Sequence, residues 1–392
     1  MSVMSCFRLG AVFAVALLTA CSSVKTPDTP DYGEYSVVGK DVRFAQKTFE
    51  DIPFVADADW DNALTAFKIS CSAMGQQPMW VDACSNAQFI VPGGAAEFFK
   101  TYFTPWRVLA TVDNQPAETG LMTGYYEPML RGSRTKHGPY QYPIYGVPDD
   151  LIVVDLTELH PQLKGLRLRG KVVGRTLIPY DKRATIDKRK DLQDKVLCWV
   201  NDPVEAFFLQ IQGSGRVLLD DGTFMRVGYS DQNGHPYRAL GGWLIRHAGL
   251  TRSEMSMQRI KRWVRENPSR RDELLNTNPN YVFFDERKGF SDEDGPLGAQ
   301  GVPLTAGASV AVDRRYWKMG VPFVVDITQD NPEMAFTRPV IAQDTGGAIR
   351  GPIRFDYFWG YGDIAGSQAG RQKSTAKSWV LVPNGYRPQD VM

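Results

Sequence analysis

The chain has 392 residues, enough for two or three domains of ordinary size, and 43% of them are apolar, enough for a substantial core; global disorder is excluded. Lys and Arg number 45 against 44 Asp and Glu, a formal net charge of +1, so the clustered positive excess that nucleic-acid partners require is missing. The 36 glycines, 25 prolines and 11% aromatics lean toward turn-rich β structure, and no periodicity of a coiled coil, collagen or polytopic membrane protein is present.

Residues 1–20 read as a signal peptide. Arg8 supplies the positive start, and the apolar stretch of residues 9–18 is too short for a permanent membrane span. It ends in Leu18-Thr19-Ala20-Cys21-Ser22-Ser23, which resembles a bacterial lipobox, where the Cys thiol is acylated and cleavage leaves that Cys first. Acyl chains hold a leaflet with about 0.8 kcal/mol per buried CH₂. Ser22 resembles the outer-membrane sorting pattern, so the expected location is the periplasmic face of the outer membrane. Residues 21–45 are then the lipidated Cys and a tether containing Pro27 and Pro30.

Cys6 leaves with the signal. Cys71 and Cys84 are close enough in sequence to pair in an oxidising compartment, and Cys198 reads as a small buried hydrophobe. The histidines His137, His160, His235 and His247 have no ligand spacing, and no CxxC or HExxH occurs, so no metal and no cofactor is expected.

Trp60, Ala63, Leu64, Phe67 and Cys71 recur at helical spacing, as do Ala95, Phe98, Phe99 and Tyr102. From Met122 to about Gly234, short apolar runs at 151–154, 172–173, 196–200, 207–211 and 216–219 predict a β domain of hairpins, with Asp221-Gly222 at one turn. A helix is expected from Pro236, with Tyr237, Leu240, Gly241, Leu244 and Ile245 on one face and Gly249 closing it. Thr251-x-x-Glu254 has the form of a capping box for a second helix, whose stripe is Met257, Ile260, Trp263 and Val264. From Tyr281 the chain reads as β again, through 310–312, 323–327, 340–342, 353–358 and 379–382.

The densest chemistry lies in Gln343-Asp344-Thr345-Gly346-Gly347-Ala348-Ile349-Arg350-Gly351 and Arg354-Phe355-Asp356-Tyr357-Phe358-Trp359-Gly360-Tyr361-Gly362-Asp363. Gly346 and Gly347 allow the backbone close to a ligand. Aromatic faces can stack on sugar rings. Desolvation by Phe355, Tyr357 and Phe358 raises the pKa of Asp356, as a general acid needs. Arg354 shares a strand face with Asp356 and would lower that pKa unless it points away or is drawn to a ligand.

This C-terminal run resembles the domain named for its three aspartates. Upstream, Thr123-Gly124-Tyr125-Tyr126-Glu127-Pro128, Tyr142-Pro143-Ile144-Tyr145, Ile178-Pro179-Tyr180, the stretch Phe207-Phe208-Leu209-Gln210-Ile211-Gln212-Gly213-Ser214-Gly215, Asn233-Gly234-His235-Pro236-Tyr237 and Asn278-Pro279-Asn280-Tyr281-Val282-Phe283-Phe284 follow in order. Together, over roughly residues 60–385, they are similar to the membrane-bound lytic murein transglycosylase A (MltA) family, with Asn280 where a small Ser is expected.

The resemblance implies a mainly β fold with some helices. A double-psi β-barrel domain, residues 46–127 and 236–392, would carry an inserted second β domain, 128–235, with a glycan groove between them. Asp356 becomes the general acid/base, with Asp344 and Asp363 supporting it. Thr123, Tyr125, Tyr126, Gln210, Gln212, Ser214 and Arg216, with Gly346 and Gly347, become substrate-binding candidates.

The implied reaction is exo-acting lytic cleavage of the MurNAc–GlcNAc β-1,4 bond of peptidoglycan with formation of 1,6-anhydroMurNAc. Peptidoglycan strands, the outer membrane and complexes of cell-wall synthesis or division are the implied partners. Three other readings stand beside it. One is a hydrolase using Asp344 or Glu127 as second carboxylate. Another is a non-catalytic expansin-type module. The third is an aspartic protease built on Asp344-Thr345-Gly346.

Overall fold

The computed structural model describes residues 34–392 except 38–40, 113–114, 165, 167, 252–253 and 292. Cys6, the signal segment and Cys21 lie outside the described residues.

The chain opens with β1 (Glu34–Val37) and β2 (Val42–Gln46), followed by three helices, α1 (Asp57–Met74), α2 (Val81–Ala87) and α3 (Ala95–Tyr102). Asp57 and Asp59 in the first turn of α1 suit its positive end. The predicted stripe of Trp60, Ala63, Leu64 and Phe67 is buried. Phe67 meets Trp80, Phe98, Phe99 and Phe103 at centroid distances of 5.6–6.2 Å, which locks the helices into one aromatic core. Cys71 and Cys84 form a disulfide between α1 and α2.

Next come β3 (Phe103–Val112), β4 (Gln115–Ala117) and β5 (Gly120–Glu127). The chain then departs into β6 (Met129–Ser133), β7 (Tyr142–Tyr145), β8 (Ile152–Val153), β9 (Arg169–Val173), β10 (Thr176–Pro179), the short α4 (Arg183–Ile186) and β11 (Val196–Val200). After these follow α5 (Pro203–Gln212), β12 (Ser214–Leu219), β13 (Phe224–Gln232), α6 (Gly241–Ala248), α7 (Met257–Glu266), α8 (Arg271–Leu275) and β14 (Val282–Arg287). It returns as β15 (Ser309–Ala311), β16 (Pro322–Asp330), β17 (Glu333–Asp344), β18 (Arg354–Tyr361), α9 (Gly362–Ala369) and β19 (Lys373–Pro383).

These strands make two main sheets. In the larger one the order is β1-β2-β3-β19-β16-β17-β15-β18-β5, with β4 on β3, and β5 also pairs with β19. Strands β19, β16, β17, β15, β18 and β5 therefore follow one another around a ring. Parallel pairing of β5 with β18 and antiparallel pairing of β5 with β19 bring together sequence from both sides of the excursion. Helices α1–α3 pack on this ring in one core with Phe323, Val340, Phe355 and Val380.

The second sheet has the order β14-β13-β12-β6-β11-β7, and β8–β10 form a small third one. Because β14 pairs with β13, the excursion extends past the boundary at 235 that the sequence suggested; Phe283 and Phe284 are buried among its residues. Helices α6–α8 belong with it too, since Leu240, Trp243, Leu244 and Trp263 pack with Phe207 and Phe208 of α5.

The run at 207–211, read as a strand, is helix α5. Asp202 caps it by accepting from Val204 N and Glu205 N, Pro203 starts it, and Gly213 ends it at φ 82°. A five-residue apolar run looks the same in a buried helix and a buried strand. The hairpin at Asp221-Gly222 is present, with Gly222 at φ 85°. Helix α6 begins at Gly241 rather than Pro236 and is closed by Gly249. Thr251 and Glu254 do bond as a box, but α7 starts later, capped by Ser256. Cys198 is buried, and burial pushes its thiol up to about 12.

Candidate active site

One row across the ring assembles the chemistry. Ala311 of β15 is paired with Asp344 on one side and Asp356 on the other, and Asp356 is paired with Thr123 of β5. Paired residues point to the same face, so Asp344, Ala311, Asp356 and Thr123 stand side by side. The small Ala311 keeps the two carboxyls one strand apart, a backbone separation of roughly 9–10 Å.

Thr123 Oγ1 donates to Asp356 Oδ1 at 2.6 Å and accepts from Arg354 Nη2 at 3.0 Å. Arg354 therefore reaches the carboxyl through a hydroxyl, and it also donates to Phe355 O. Burial pushes Asp356 up to about 6; the Thr123 hydrogen bond and the Arg354 charge pull it down, and Asp344 adds to the rise. The same burial lowers Arg354. Asp356 Oδ2 has no protein partner among the described residues and is not a sealed atom, so one oxygen faces the open side.

Asp344 is different. Its Oδ1 accepts from Ala299 N at 3.0 Å and Thr345 N at 2.8 Å, and its Oδ2 accepts from Tyr125 OH at 3.0 Å. Burial raises its carboxyl, with these three bonds opposing. Tyr125 packs on Phe358, and its hydroxyl is pushed well above the usual range by burial and by Asp344. Gly124, between Thr123 and Tyr125, is obligatory: a Cβ there would come within 2.6 Å of Trp359 Nε1 and Gln372 Oε1 on the opposite face.

The remaining candidates divide. Gly346 and Gly347 follow Asp344 in the loop to β18, and a Cβ on Gly347 would meet nothing within 4 Å. Asp363 is not brought to the row; it lies exposed in the first turn of α9. Tyr126 is buried under α9, where a Cβ on Gly366 would meet its ring at 2.7 Å. Gln212 Oε1 accepts from Tyr126 N at 3.1 Å, a bond between the ring and α5. Gln210 is buried, accepting from Arg183 Nη2 at 2.7 Å. Ser214 opens β12 and is half-buried.

Arg216 pairs with Glu127 at 2.8 Å, lies over the Tyr361 ring at 3.9 Å and donates to Asp294 O. Glu127 is 1% exposed and also meets Arg226 at 3.5 Å, which removes it as a second carboxylate for hydrolysis. These polar residues hold the two sheets together.

Three further residues support the structure; Gln343 and Asp313 were not singled out as sites in the sequence, and Asn280 stood out only as a departure from an expected Ser. Gln343 is fully buried and donates to Ala66 O and Ser70 Oγ, fixing β17 to α1 beside Asp344. Asp313, also fully buried, accepts from Arg315 and from Gly351 N, tying the end of β15 to the loop before β18. Asn280 donates to Gln232 Oε1 and to His235 O at 2.8 Å, a reach a serine lacks. No group of three or more His, Cys, Asp and Glu among the described residues is placed to hold a metal ion.

Two family models match the chain: the MltA specific insert domain over residues 121–285 and the 3D domain over residues 308–382. A curated relative, membrane-bound lytic murein transglycosylase A of Escherichia coli, is 32% identical over 268 residues, which are 66% of this chain and 64% of that protein, so the match spans just under two thirds of the relative. The crystal structure of MltA from Neisseria gonorrhoeae in a monoclinic form is 36% identical with a TM-score of 0.78, covering 92% of this chain and 97% of that one. The structure of E. coli MltA with bound chitohexaose is 25% identical with a TM-score of 0.65, over 87% and 94% of the two chains. With a ring split by an excursion, an acid row in its C-terminal part and these likenesses, the chain belongs to the membrane-bound lytic murein transglycosylase A family.

Proposed function

We propose that the protein is a lytic transglycosylase that cleaves the β-1,4 bond between MurNAc and GlcNAc in peptidoglycan strands, with Asp356 as its one general acid/base. The observation that carries this reading is Asp356 itself: desolvated, raised to about 6, bonded on one oxygen and open on the other. A pKa near the working pH suits an acid that must also take a proton back. The chitohexaose held by the E. coli relative supports a glycan as ligand.

Protonated Asp356 donates to the bridging oxygen as the C1–O bond breaks. Positive charge develops at MurNAc C1. The C6 hydroxyl of the same sugar bonds to C1 and gives its proton to the Asp356 carboxylate, restoring the acid. Intramolecular attack benefits from a high effective molarity and needs no activated water. A hydrolase would need a second working carboxylate roughly 5–5.5 or 6.5–9.5 Å away. Asp344 has its oxygens filled by three donors, and Glu127 is locked between two arginines. An aspartic protease dyad shares a proton between touching carboxyls, and a strand separates Asp344 from Asp356.

The ring is read as the double-psi barrel domain, and the second sheet with its helices as the other wall of the glycan groove. Incubating purified glycan strands with the protein, then reading fragments by mass spectrometry, tests the reaction. Ends lighter by one water than hydrolysis products, and unchanged by borohydride, are expected. Reducible, fully hydrated ends would overturn it in favour of hydrolysis, and bound but uncut strands in favour of an expansin-type module.

The curated relative is named membrane-bound, and the lipobox-like Cys21 supplies an acyl anchor on the periplasmic face of the outer membrane. Cys21→Ala is expected to move the protein from the membrane pellet to the soluble fraction. A variant that still pellets with outer membrane would refute this anchor.

A further inference from the structure

We infer that the loop between β17 and β18 carries an anion subsite beside Asp356, built on Arg350 with Arg315, which receives a carboxylate borne by the MurNAc residue; this rests on the glycan-cleaving reading above. The argument starts from Asp313. Asp313 lies two residues past Ala311, the partner of Asp356, and accepts from Gly351 N, three residues before Arg354. Asp313 is fully buried, and burial alone would raise its carboxyl, but bonds from Arg315 and Gly351 N outweigh burial and lower it.

Around this one carboxylate stand two guanidiniums. Arg315 Nη2 approaches Oδ2 at 2.6 Å and Arg350 Nη1 approaches Oδ1 at 3.9 Å. Both arginine side chains are more than half exposed, 63% and 57%. Arg315 already answers the Asp313 carboxylate at close range, so the more distant Arg350 is the cation with charge to spare on this side.

The loop is fixed onto the reacting face. Thr345 Oγ1 donates to Val312 O at 2.8 Å, Gly351 N donates to Asp313 Oδ2 at 2.8 Å, and Ile349 packs with Tyr125, Ala311 and Phe358. Arg350 follows Ile349 directly, so the same contact that seats Ile349 on the row holds Arg350 at its rim. Among the described residues its one hydrogen bond is a long one, 3.3 Å from Nη1 to Ile349 O, and Nε and Nη2 have no partner there. A planar guanidinium held at a rim with open donors suits a carboxylate.

Murein offers that chemistry in two forms: the lactyl carboxylate of peptide-free MurNAc and the acidic groups of the stem peptide. Both are absent from chitooligosaccharides, which share the glycan backbone and are neutral.

The test measures Arg350→Gln and Arg350→Lys in the full chain against peptide-free strands, peptide-bearing strands and chitohexaose. Arg350→Gln is expected to raise KM on anionic strands about threefold to fivefold, the scale of an exposed charge pair, while its Kd for chitohexaose tracks the wild type. Arg350→Lys should recover part of the loss. The wild-type advantage of anionic strands should shrink as salt is raised. A loss confined to peptide-free strands assigns the lactyl carboxylate, and one confined to peptide-bearing strands assigns the stem peptide. Unchanged KM, or an equal loss of affinity for chitohexaose, overturns the subsite. Wild-type protein that releases no anhydro-ended fragments in the same runs overturns the underlying reaction instead.

Discussion

Two carboxylates are governed by positions four residues apart in β5: the half-buried Asp356, bonded to Thr123, and the buried Glu127 itself. Glu127 is 1% exposed and answered by Arg216 and Arg226, which are themselves nearly covered. Asp356 has one neutral hydroxyl for a hydrogen-bond partner, which Arg354 also bonds, and the Arg354 charge lowers its carboxyl less than desolvation raises it. The two differ in their partners. Two nearly covered guanidiniums answer Glu127 and tie two sheets together. A hydroxyl leaves desolvation dominant, so the group keeps a proton it can give away.

The largest expected effect breaks the comparison at Asp356. Asp356→Asn should lower the cleavage rate by at least about 10²–10⁴-fold, since an amide neither donates nor reclaims the proton. Stability should move the other way. A carboxyl raised to about 6 in the folded state contributes stability that is complete below its unfolded value and lost as pH rises through about 6. At pH 7.5 the variant should therefore melt higher than wild type, with the two curves converging near pH 4. Calorimetry at both pH values checks this; a lower Tm at pH 7.5 would mean the ionised Asp356 is better accommodated than its burial implies.

Glu127→Gln comes next. It leaves two buried guanidiniums facing a neutral amide, a loss of about 3–5 kcal/mol by the measure of broken buried pairs. Denaturant unfolding should show it. Below the new Tm the pH dependence of cleavage should keep its wild-type position, because Glu127 holds sheets and moves no proton. A displaced pH profile would place Glu127 in the chemistry.

The smallest effect is the sharpest. Thr123→Val keeps shape and removes the hydroxyl that pulls Asp356 down. The high-pH limb of kcat/KM, set by loss of the Asp356 proton near pH 6, should move upward by less than about one unit. A downward move would show Arg354 swinging directly onto the carboxyl, and the contrast between hydroxyl and guanidinium partners would collapse.

Much of the ring was legible in the sequence. The apolar runs at 323–327, 340–342 and 379–382 lie wholly in described strands, while 310–312 overruns β15 by Val312 and 353–358 starts one residue before β18. Asp356 stood out because Phe355, Tyr357 and Phe358 adjoin it in the sequence, and desolvation is the largest cause of its shift, although Phe355 and Tyr357 pack in the core on the other face of β18. Arg354 was flagged as the opposing charge; what the sequence lacked was Thr123 as intermediary, a pairing set by a register 233 residues distant. Gln210, Gln212 and Arg216 were substrate-binding candidates through the family resemblance alone; their partners in the fold, Arg183, Tyr126 N and Glu127, come from distant sequence and had no local signal. Asp363 shares its spacing motif with the other two aspartates, but Gly362 turns the chain into α9 and carries it off the strand face.

The parallel pairing of β5 with β18 has a kinetic consequence. Everything from residue 128 to residue 308 is looped out between these neighbours, so the row joins groups of very high sequence separation. Closing such a loop costs entropy that grows only with the logarithm of its length, yet topologies dominated by distant contacts fold slowly. The excursion, with its own sheet and core, can gain order while β5 still waits for its partners. Asp356 meets Thr123 only when β18 and β19 arrive to close the ring. The Asp356–Thr123 pair thus joins residues 233 positions apart, and a nascent chain that stops short of β18 holds Thr123 without the carboxyl it bonds.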